Sequence, residues 1–460
     1  MIVPAELLHA IAEPGGGQLA IVIGAGCSVE APTGMPLAGP LASEACRKLE
    51  ADGILAQGEC SNPSNLSELA TIVYKKTGTQ SELIRRFPVN EMRAARPNTG
   101  YKLLVALMME RAVSHVLSLN FDRAVENAAV QLGQVINVVR ERGGHVPMSP
   151  TLVYLHGSAD SPWETWVLRE ETMTDAWKGQ WEEVIANQVL SAPRILFAGL
   201  GSAAPVLEAS VSTIQNAIGD GKQIFQADFG PLESNYLANQ LGVTADRYVQ
   251  GGWSEVLTKL SERLVAEQIE ALRVTGSGNL QENAFGEEDQ IRFQTQVAKL
   301  AGVSLLALGR MRAFAQLDGK HYRQHSEVDD QQIAEPLTKL AKIVHEFNVE
   351  AVPTTHGSWE VLRAGRRIGR VLLATGGGVR RFAAVEPRVN QFCHQTIDEV
   401  PQPDVILIGG LVEETEPAPP ADIVTDLEPD SLIDGPSGPL ILSANDPDVA
   451  KKLGEFLNVA

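Results

Sequence analysis

Cysteine is scarce in this sequence, and the few cysteines lie far apart. They are Cys27, Cys46, Cys60 and Cys393, and no two of them form a C-x-x-C pair. Such isolated cysteines exclude a disulfide framework, and the lack of C-x-x-C pairs excludes the usual cysteine-rich structural zinc site. We therefore expect a reducing, cytoplasmic environment and no bound metal.

An excess of positive charge is also missing, because 38 Lys and Arg residues face 57 Asp and Glu residues, giving a formal charge of −19. A chain this acidic does not bind broadly to a phosphate backbone, so we expect no direct nucleic-acid binding. No run approaches the ~18 apolar residues of a membrane-spanning helix, so we expect no membrane association. The N-terminus has no basic region before its first apolar segment, which is not typical of a signal peptide.

The most informative stretch that is present covers residues 19–37. Its apolar run Ala20–Ile23 predicts a strand that is buried on both faces of a parallel sheet. The run is followed by Gly24, Ala25 and Gly26, and then by Ser28. Glycines after a strand let the backbone approach a pyrophosphate, although Val29 stands where a third glycine is usual. Taken alone, the stretch fits a phosphate loop and a plain strand–turn–helix corner about equally well.

Four further polar signals each follow an apolar, strand-like run. They are Asn120-Phe121-Asp122, Leu155-His156-Gly157, Gly199-Leu200-Gly201-Ser202, and Asp228 at the end of the run that starts at Ile224. In an open parallel sheet the ligand crevice lies outside the carboxyl ends of the strands. The sequence therefore predicts that these residues share one edge of a sheet with the glycine loop.

In this order and spacing the motifs resemble the sirtuin NAD-binding core, in the form found in bacterial antiphage-defence NAD-consuming proteins. The resemblance covers roughly the first 270 residues. It implies an α/β fold with a Rossmann-like, mostly parallel sheet and a helical insertion at about residues 51–96. It further implies NAD as substrate, a role in abortive infection, a homo-oligomer, and in some relatives a separate partner defence protein.

The catalytic residues that we expect are Asn120, Asp122 and His156. Cleavage of the nicotinamide–ribose bond builds positive charge on the ribose, so the site must orient the ribose or a water and balance that charge. We assign the orienting role to Asn120, the carboxamide or the charge to Asp122, and general-base chemistry to His156. An Asx turn or helix cap for the first two, and a buried structural histidine for the third, stay open. The tripeptide His156-Gly157-Ser158 recurs at residues 356–358 without the other motifs.

The remaining predicted site residues would bind the rest of the cofactor. Those expected at the pyrophosphate are Gly24, Ala25, Gly26 and Ser28, with Gly199, Gly201 and Ser202 from the second glycine turn. Asp228 is expected to accept from the adenosine ribose, with a capping role as the open alternative. Cys27 lies inside the first loop, and we interpret it as a small side chain in a tight turn.

A second domain is predicted after the sirtuin-like one. We place the NAD-binding domain at residues 1–273, closed by a helix from Trp253 to Arg273, a polar linker at 274–289, and a smaller mixed α/β domain at 290–460. This second domain is expected to serve as a sensor, an oligomerisation module or a partner-binding module.

The C-terminal part also contains an arginine cluster. Seven arginines lie between Arg363 and Arg388, without a lysine, around a strand that runs into the glycine turn Gly376–Gly378. Arginines and glycine turns suit phosphates, so one hypothesis is a regulatory nucleotide or anion site. An arginine-rich interface, or pairing with the acidic segment 413–434, stays open.

These observations favour an NAD hydrolase that is gated by its second domain or by a partner. Two alternatives remain. The first is a module that binds NAD or ADP-ribose without catalysis. The second is an NAD-dependent protein deacylase, which the missing zinc cysteines and Leu119, in place of the usual glutamine, disfavour.

Overall fold

A computed structural model describes residues 1–13, 16–17, 19–140, 150–169, 171–172, 192–201, 223–313, 322–375, 401–411 and 439–457. The chain divides into two units, Met1–Arg263 and Leu264–Ala460. Each unit has its own sheet.

The first unit is built on a seven-stranded sheet. Its strands are β1 (Leu19–Ile23), β2 (Val113–Ser118), β3 (Asn137–Val139), β4 (Thr151–Tyr154), β5 (Arg194–Ala198), β6 (Gln223–Asp228) and β7 (Tyr248–Gln250). Their order in the sheet is β3-β4-β2-β1-β5-β6-β7, and every pair is parallel. β1 lies in the middle and all five of its residues are buried, as its β-branched run predicts. The predicted Rossmann-like, mostly parallel sheet is confirmed.

Helices connect these strands and flank the sheet. They are α1 (Ala5–Ala12), α2 (Ala38–Ala51), α3 (Leu66–Thr77), α4 (Ser81–Ile84), α5 (Val89–Arg93), α6 (Thr99–Met109), α7 (Ala124–Gln131), α8 (Tyr236–Gln240) and α9 (Trp253–Glu282). The predicted insertion at residues 51–96 contains α3, α4 and α5. Asn65 begins α3 by accepting hydrogen bonds from two backbone N–H groups, and Gly78 ends it with a left-handed φ of 76°.

The second unit contains a mixed five-stranded sheet, which confirms the predicted smaller α/β domain. The strands are β8 (Glu350–Pro353), β9 (Trp359–Arg363), β10 (Arg366–Thr375), β11 (Val405–Gly409) and β12 (Leu440–Ser443), in the order β12-β11-β10-β9-β8. The first three in this order are parallel and the last pairs are antiparallel. The helices are α10 (Glu287–Ala298), α11 (Leu305–Ala313), α12 (Glu327–Glu346) and α13 (Val449–Phe456).

The segment predicted as a linker, residues 274–289, is largely helical. α9 continues to Glu282, beyond the predicted end at Arg273, and α10 begins at Glu287. The division between the units falls earlier, after Arg263. At Gly276 the glycine serves helix packing, because a Cβ there would lie 2.4 Å from the Phe293 ring.

The described arginines of the C-terminal cluster lie on two neighbouring strands, β9 and β10. Arg363 and Arg366 face each other at the end of the β9–β10 hairpin, and β10 then runs for ten residues to Thr375. At 3.3 Å per residue, that strand spans roughly 30 Å. Arg363 and Arg366 therefore lie at the opposite end of β10 from Thr375, and the anion-site hypothesis for residues 363–388 stays a prediction. Residues 376–388 and the acidic segment 413–434 lie outside the described residues.

Candidate active site

Two glycine loops meet at the carboxyl edge of the first sheet. After β1, residues 25–28 form one short 3-10 turn, and after β5 the chain turns at Gly199 with a left-handed φ of 66°. A Cβ at Gly26 would lie 2.7 Å from the Gly199 Cα, and one at Gly24 would lie 2.1 Å from a Leu200 methyl group. The Gly26 N–H also donates to the Gly199 carbonyl at 3.1 Å. Glycine is required at these positions because the loops pack directly against each other.

Asn120 and Asp122 belong to a buried polar cluster with the first loop. The Asn120 Nδ2 donates to the Gly24 carbonyl at 3.0 Å, and to Ser28 Oγ and Tyr101 OH at 3.2 Å each. Ser28 Oγ in turn donates to Asp122 Oδ2 at 2.7 Å and lies 2.6 Å from Tyr101 OH. The cluster thus joins the loop after β1, α6 and the turn after β2.

Asp122 has a second contact that matches the alternative left open by the sequence. Its Oδ1 accepts from the Ala124 N–H at 3.0 Å, so it also forms a turn at the start of α7. Burial raises the pKa of Asp122, and the hydrogen bonds from Ser28 and Ala124 partly oppose that rise. No Lys or Arg in the described part of the chain forms an ion pair with this carboxylate.

His156 follows β4 by one intervening residue, and 4% of it is exposed. Its carbonyl accepts from the Val167 N–H at 3.0 Å, and this hydrogen bond holds the turn after β4 against the segment that contains Val167. Because β4 lies next to β2 in the parallel sheet, His156 and Asn120 leave the sheet at the same edge.

One cavity of about 370 Å³ collects most of the predicted residues. Those that line it are Gly24, Ala25, Ser28, Asn120, Asp122, His156 and Gly199. The other lining residues are mostly apolar, among them Met35, Leu37, Leu41, Met92 and Phe121. The volume and the few polar groups on an apolar wall are typical of a small-molecule site.

The other predicted residues are placed differently. Gly26 lies behind the cavity wall, against Gly199, and Ser202 falls outside the described residues. Gly201 contacts Asp228, since a Cβ there would lie 2.5 Å from Asp228 Oδ2. Asp228 Oδ1 accepts from the Gly230 N–H at 3.2 Å, so its side chain forms a turn after β6.

Several residues of the site were not predicted. Tyr101 is fully buried, and its hydroxyl contacts both Ser28 and Asn120. Phe121 stacks on Trp166 with ring centroids 4.3 Å apart and planes inclined by 7°. A single phenol in the otherwise apolar α6 was the available signal for Tyr101, whereas the Phe121–Trp166 stack joins segments with no shared motif.

Cysteine and metal chemistry are not evident in the described part of the chain. Cys27 is buried, and burial raises the pKa of its thiol well above the ordinary value, as suits a small side chain in a tight turn. Among the described residues, no group of three or more His, Cys, Asp or Glu side chains could hold a metal ion. Within the same residues, no helix is both long and apolar enough to span a membrane.

Comparison with known proteins identifies the domain type. Residues 114–245 match the family model of the SIR2-like domain. No curated protein matches the chain. Among solved structures, a Sir2 homologue in complex with NAD is 17% identical, with 55% of this chain and 91% of that chain covered and a TM-score of 0.34. A Sir2 homologue mutant bound to ADP-ribose is 18% identical, with 56% and 96% covered and a TM-score of 0.34. This chain therefore carries a SIR2-like domain, and Asn120, Asp122 and His156 all lie within the matched residues.

Proposed function

We propose that the chain hydrolyses NAD to nicotinamide and ADP-ribose. The observation that carries this proposal is the single cavity in which Asn120, Asp122 and His156 lie beside the two glycine loops. The SIR2-like domain supports a nicotinamide dinucleotide as the ligand. In the reaction the C1′–N bond breaks, nicotinamide leaves with the bonding pair, water adds to C1′, and one proton is released.

Asn120 is suited to orient the water or a ribose hydroxyl. Its Nδ2 is held by protein acceptors, and in the described part of the chain no donor contacts its Oδ1. An amide oxygen that is fixed in this way is a preorganised acceptor.

Asp122 and His156 supply the charge and the base. Among the described residues that line the cavity, only Asp122 and His156 have an acidic or basic side chain, so the Asp122 carboxylate contributes the negative charge there. A negative charge in an apolar cavity stabilises the cation that develops on the ribose. The imidazole of His156 can accept the proton of the water or of a ribose hydroxyl.

Pyrophosphate would be bound by the first loop. The Gly24 and Gly26 N–H groups donate to the carbonyls of Ala198, at the end of β5, and of Gly199, so they are already used. Ala25 lines the cavity, and its N–H has no acceptor in the described part of the chain. We assign Ala25 N–H, rather than the glycine amides, to the phosphate contact.

The first test is product analysis with purified full-length protein. Nicotinamide and ADP-ribose would be quantified by chromatography for the wild type, Asn120→Ala and His156→Ala. Loss of a positioned acid–base or orienting group lowers turnover by ~10²–10⁴-fold, so both variants should be nearly inactive. His356→Ala is the matched control, since it alters the same His-Gly-Ser tripeptide in the second unit, and it should keep wild-type turnover.

The other outcomes separate the alternatives. NAD binding by calorimetry without turnover in the wild type would support a regulatory binding module. Nicotinamide release that requires an acetylated peptide would identify a deacylase. Turnover that survives both active-site substitutions would contradict the proposed site.

The proposed biological role is abortive-infection defence, with activity gated by Leu264–Ala460 or by a partner, in a homo-oligomer. The test is NAD content in bacteria that express the chain and are challenged with phage. After phage infection, NAD should fall in bacteria that express the wild-type protein and should stay unchanged in bacteria that express Asn120→Ala. Equal NAD content in the two cultures would contradict the defence role without affecting the purified-enzyme result.

A further inference from the structure

Tyr154 links the two segments that carry the proposed catalytic residues. It is the last residue of β4, two positions before His156, and it is buried. Its hydroxyl lies 3.1 Å from the Asp122 carbonyl and 3.1 Å from Glu126 Oε1, and it donates its hydrogen to them. A single side chain at the end of β4, just before His156, thus contacts the turn that contains Asp122.

The Glu126 carboxylate that faces Tyr154 is itself firmly held. It is buried and forms ion pairs with Arg140 and with Arg123, the latter at 3.3 Å. Arg123 also pairs with Asp160 at 2.9 Å. A buried carboxylate with two cationic partners keeps a fixed place, so it is a reliable acceptor for the tyrosine. Burial, reinforced by Glu126, raises the pKa of Tyr154 well above its ordinary range, so the phenol remains a donor.

The backbone around Asp122 is bound from the same side. The Phe121 carbonyl accepts from the Ala159 N–H at 2.7 Å, and Ala159 lies just beyond His156 in the chain. Both contacts come from the segment that contains His156. Tyr154 does not line the 370 Å³ cavity, so any effect on the reaction must pass through Asp122 and its neighbours.

We propose that Tyr154 is a positioning residue that fixes Asn120 and Asp122 relative to His156. The proposal rests on the proposed NAD hydrolysis for its kinetic consequence, but not for its structural one. Loss of the hydroxyl leaves the Asp122 carbonyl without this donor and lets the turn that carries Asn120 and Asp122 move, while the glycine loops and the apolar part of the cavity wall stay in place. The expected effect is on the chemical step rather than on NAD affinity.

The test compares Tyr154→Phe with the wild type by steady-state kinetics, NAD calorimetry and hydrogen exchange followed by mass spectrometry. Removing one positioning hydrogen bond should lower kcat about tenfold, with KM and the NAD dissociation constant within about twofold. Backbone exchange should become faster over residues 119–125 and stay unchanged over β1. Tyr322→Phe, a fully buried tyrosine of the second unit, is the matched control and should change none of these quantities.

Each result decides a different point. Wild-type kcat in Tyr154→Phe, or unchanged exchange over residues 119–125, would overturn the positioning role. Faster exchange throughout the first unit would assign Tyr154 to folding alone and would also overturn it. If the wild type does not hydrolyse NAD, the proposed function fails, and the exchange experiment alone still decides whether Tyr154 holds the Asp122 turn. Glu126→Gln provides a second variant, since it keeps the Tyr154–Asp122 hydrogen bond and should have a smaller effect on kcat.

Discussion

Asp122 is a buried carboxylate that is held by hydrogen bonds, and no described Lys or Arg forms an ion pair with it. Ser28 Oγ and the Ala124 N–H donate to its two oxygens, and burial raises its pKa. An acid whose folded-state pKa lies above its unfolded value destabilises the protein once both states are deprotonated. Stability therefore falls as the pH rises from the ordinary range of an aspartate through the raised pKa of Asp122. The residue is kept at a thermodynamic cost, which is common where a charge serves function.

Asp122→Asn should separate stability from activity. The amide avoids the burial of a charge and can still accept from Ser28 or Ala124, so the midpoint of thermal unfolding at neutral pH should equal or exceed that of the wild type. Hydrolysis of NAD should fall at least ~100-fold because the negative charge in the cavity is lost. The stability difference should shrink as the pH is lowered through the raised pKa, which calorimetry at several pH values would show. A variant that is less stable than the wild type at every pH would contradict this account.

The sequence predicted that the catalytic candidates lie near one another, but it did not reveal the side chains that contact them. Asn120 and His156 each follow a strand-like run, and parallel strands put such residues at one edge regardless of the loops between them. Tyr101 comes from a helix, where contact with Ser28 depends on how α6 rotates and packs, and no local motif encodes that. Ser28 was predicted as a pyrophosphate ligand, yet its hydroxyl is engaged by Tyr101 and Asp122.

At the scale of elements, α9 shows how glycine can mislead. Gly276 and Gly278, followed by a polar stretch, are typical of a linker, yet both lie inside one helix. They differ in their surroundings: Gly276 packs against Phe293 and Ala334, whereas nothing lies within 4 Å of a Cβ at Gly278. Packing between helices, which a single sequence does not reveal, overrides the local preference.

The same substitution at these two glycines should have opposite effects. Gly278→Ala should raise the free energy of unfolding of the second unit by about 0.5–1 kcal/mol, because alanine favours the helix and meets no neighbour. Gly276→Ala should lower it by about 1–3 kcal/mol, because the methyl group would overlap the buried Phe293 ring. Urea unfolding of the two variants measures both changes. Destabilisation by Gly278→Ala would indicate that this segment is not helical in solution.

The arginine cluster is a second case in which proximity along the chain misleads. Arg366 and Arg370 are close in sequence, but β10 is extended at about 3.3 Å per residue, so the two side chains start well apart along the strand. Arg370, halfway along β10, is instead paired with Glu360 at 3.1 Å. A count of charges along a sequence therefore describes composition. It can indicate a binding site only once the positions of the strands are known.

The whole molecule consists of two units with separate sheets, and the sequence predicted this division better than its boundary. The division was predicted from the extent of the sirtuin-like motifs and from the polar, glycine-containing segment at residues 274–289. The boundary was not, because α9 runs from the first unit into the second without a break. A cooperative unit is defined by which residues share a core, and a continuous helix gives no sign of that in its own sequence.

Because the two units have separate cores, we expect two unfolding transitions. A ligand that binds the first unit should shift only the transition of that unit. ADP-ribose at about 100 times its dissociation constant should stabilise the unit that binds it by about 2.7 kcal/mol, and scanning calorimetry of the full chain would detect the shift. Gly278→Ala should move only the transition of the second unit, and Asp122→Asn only that of the first unit. The two variants therefore assign each calorimetric peak in the intact chain. Adenosine, which lacks the pyrophosphate, is the control ligand and should shift neither transition appreciably. A single transition that moves with every change would mean that the units unfold together, and that the second unit senses occupancy of the site through stability itself.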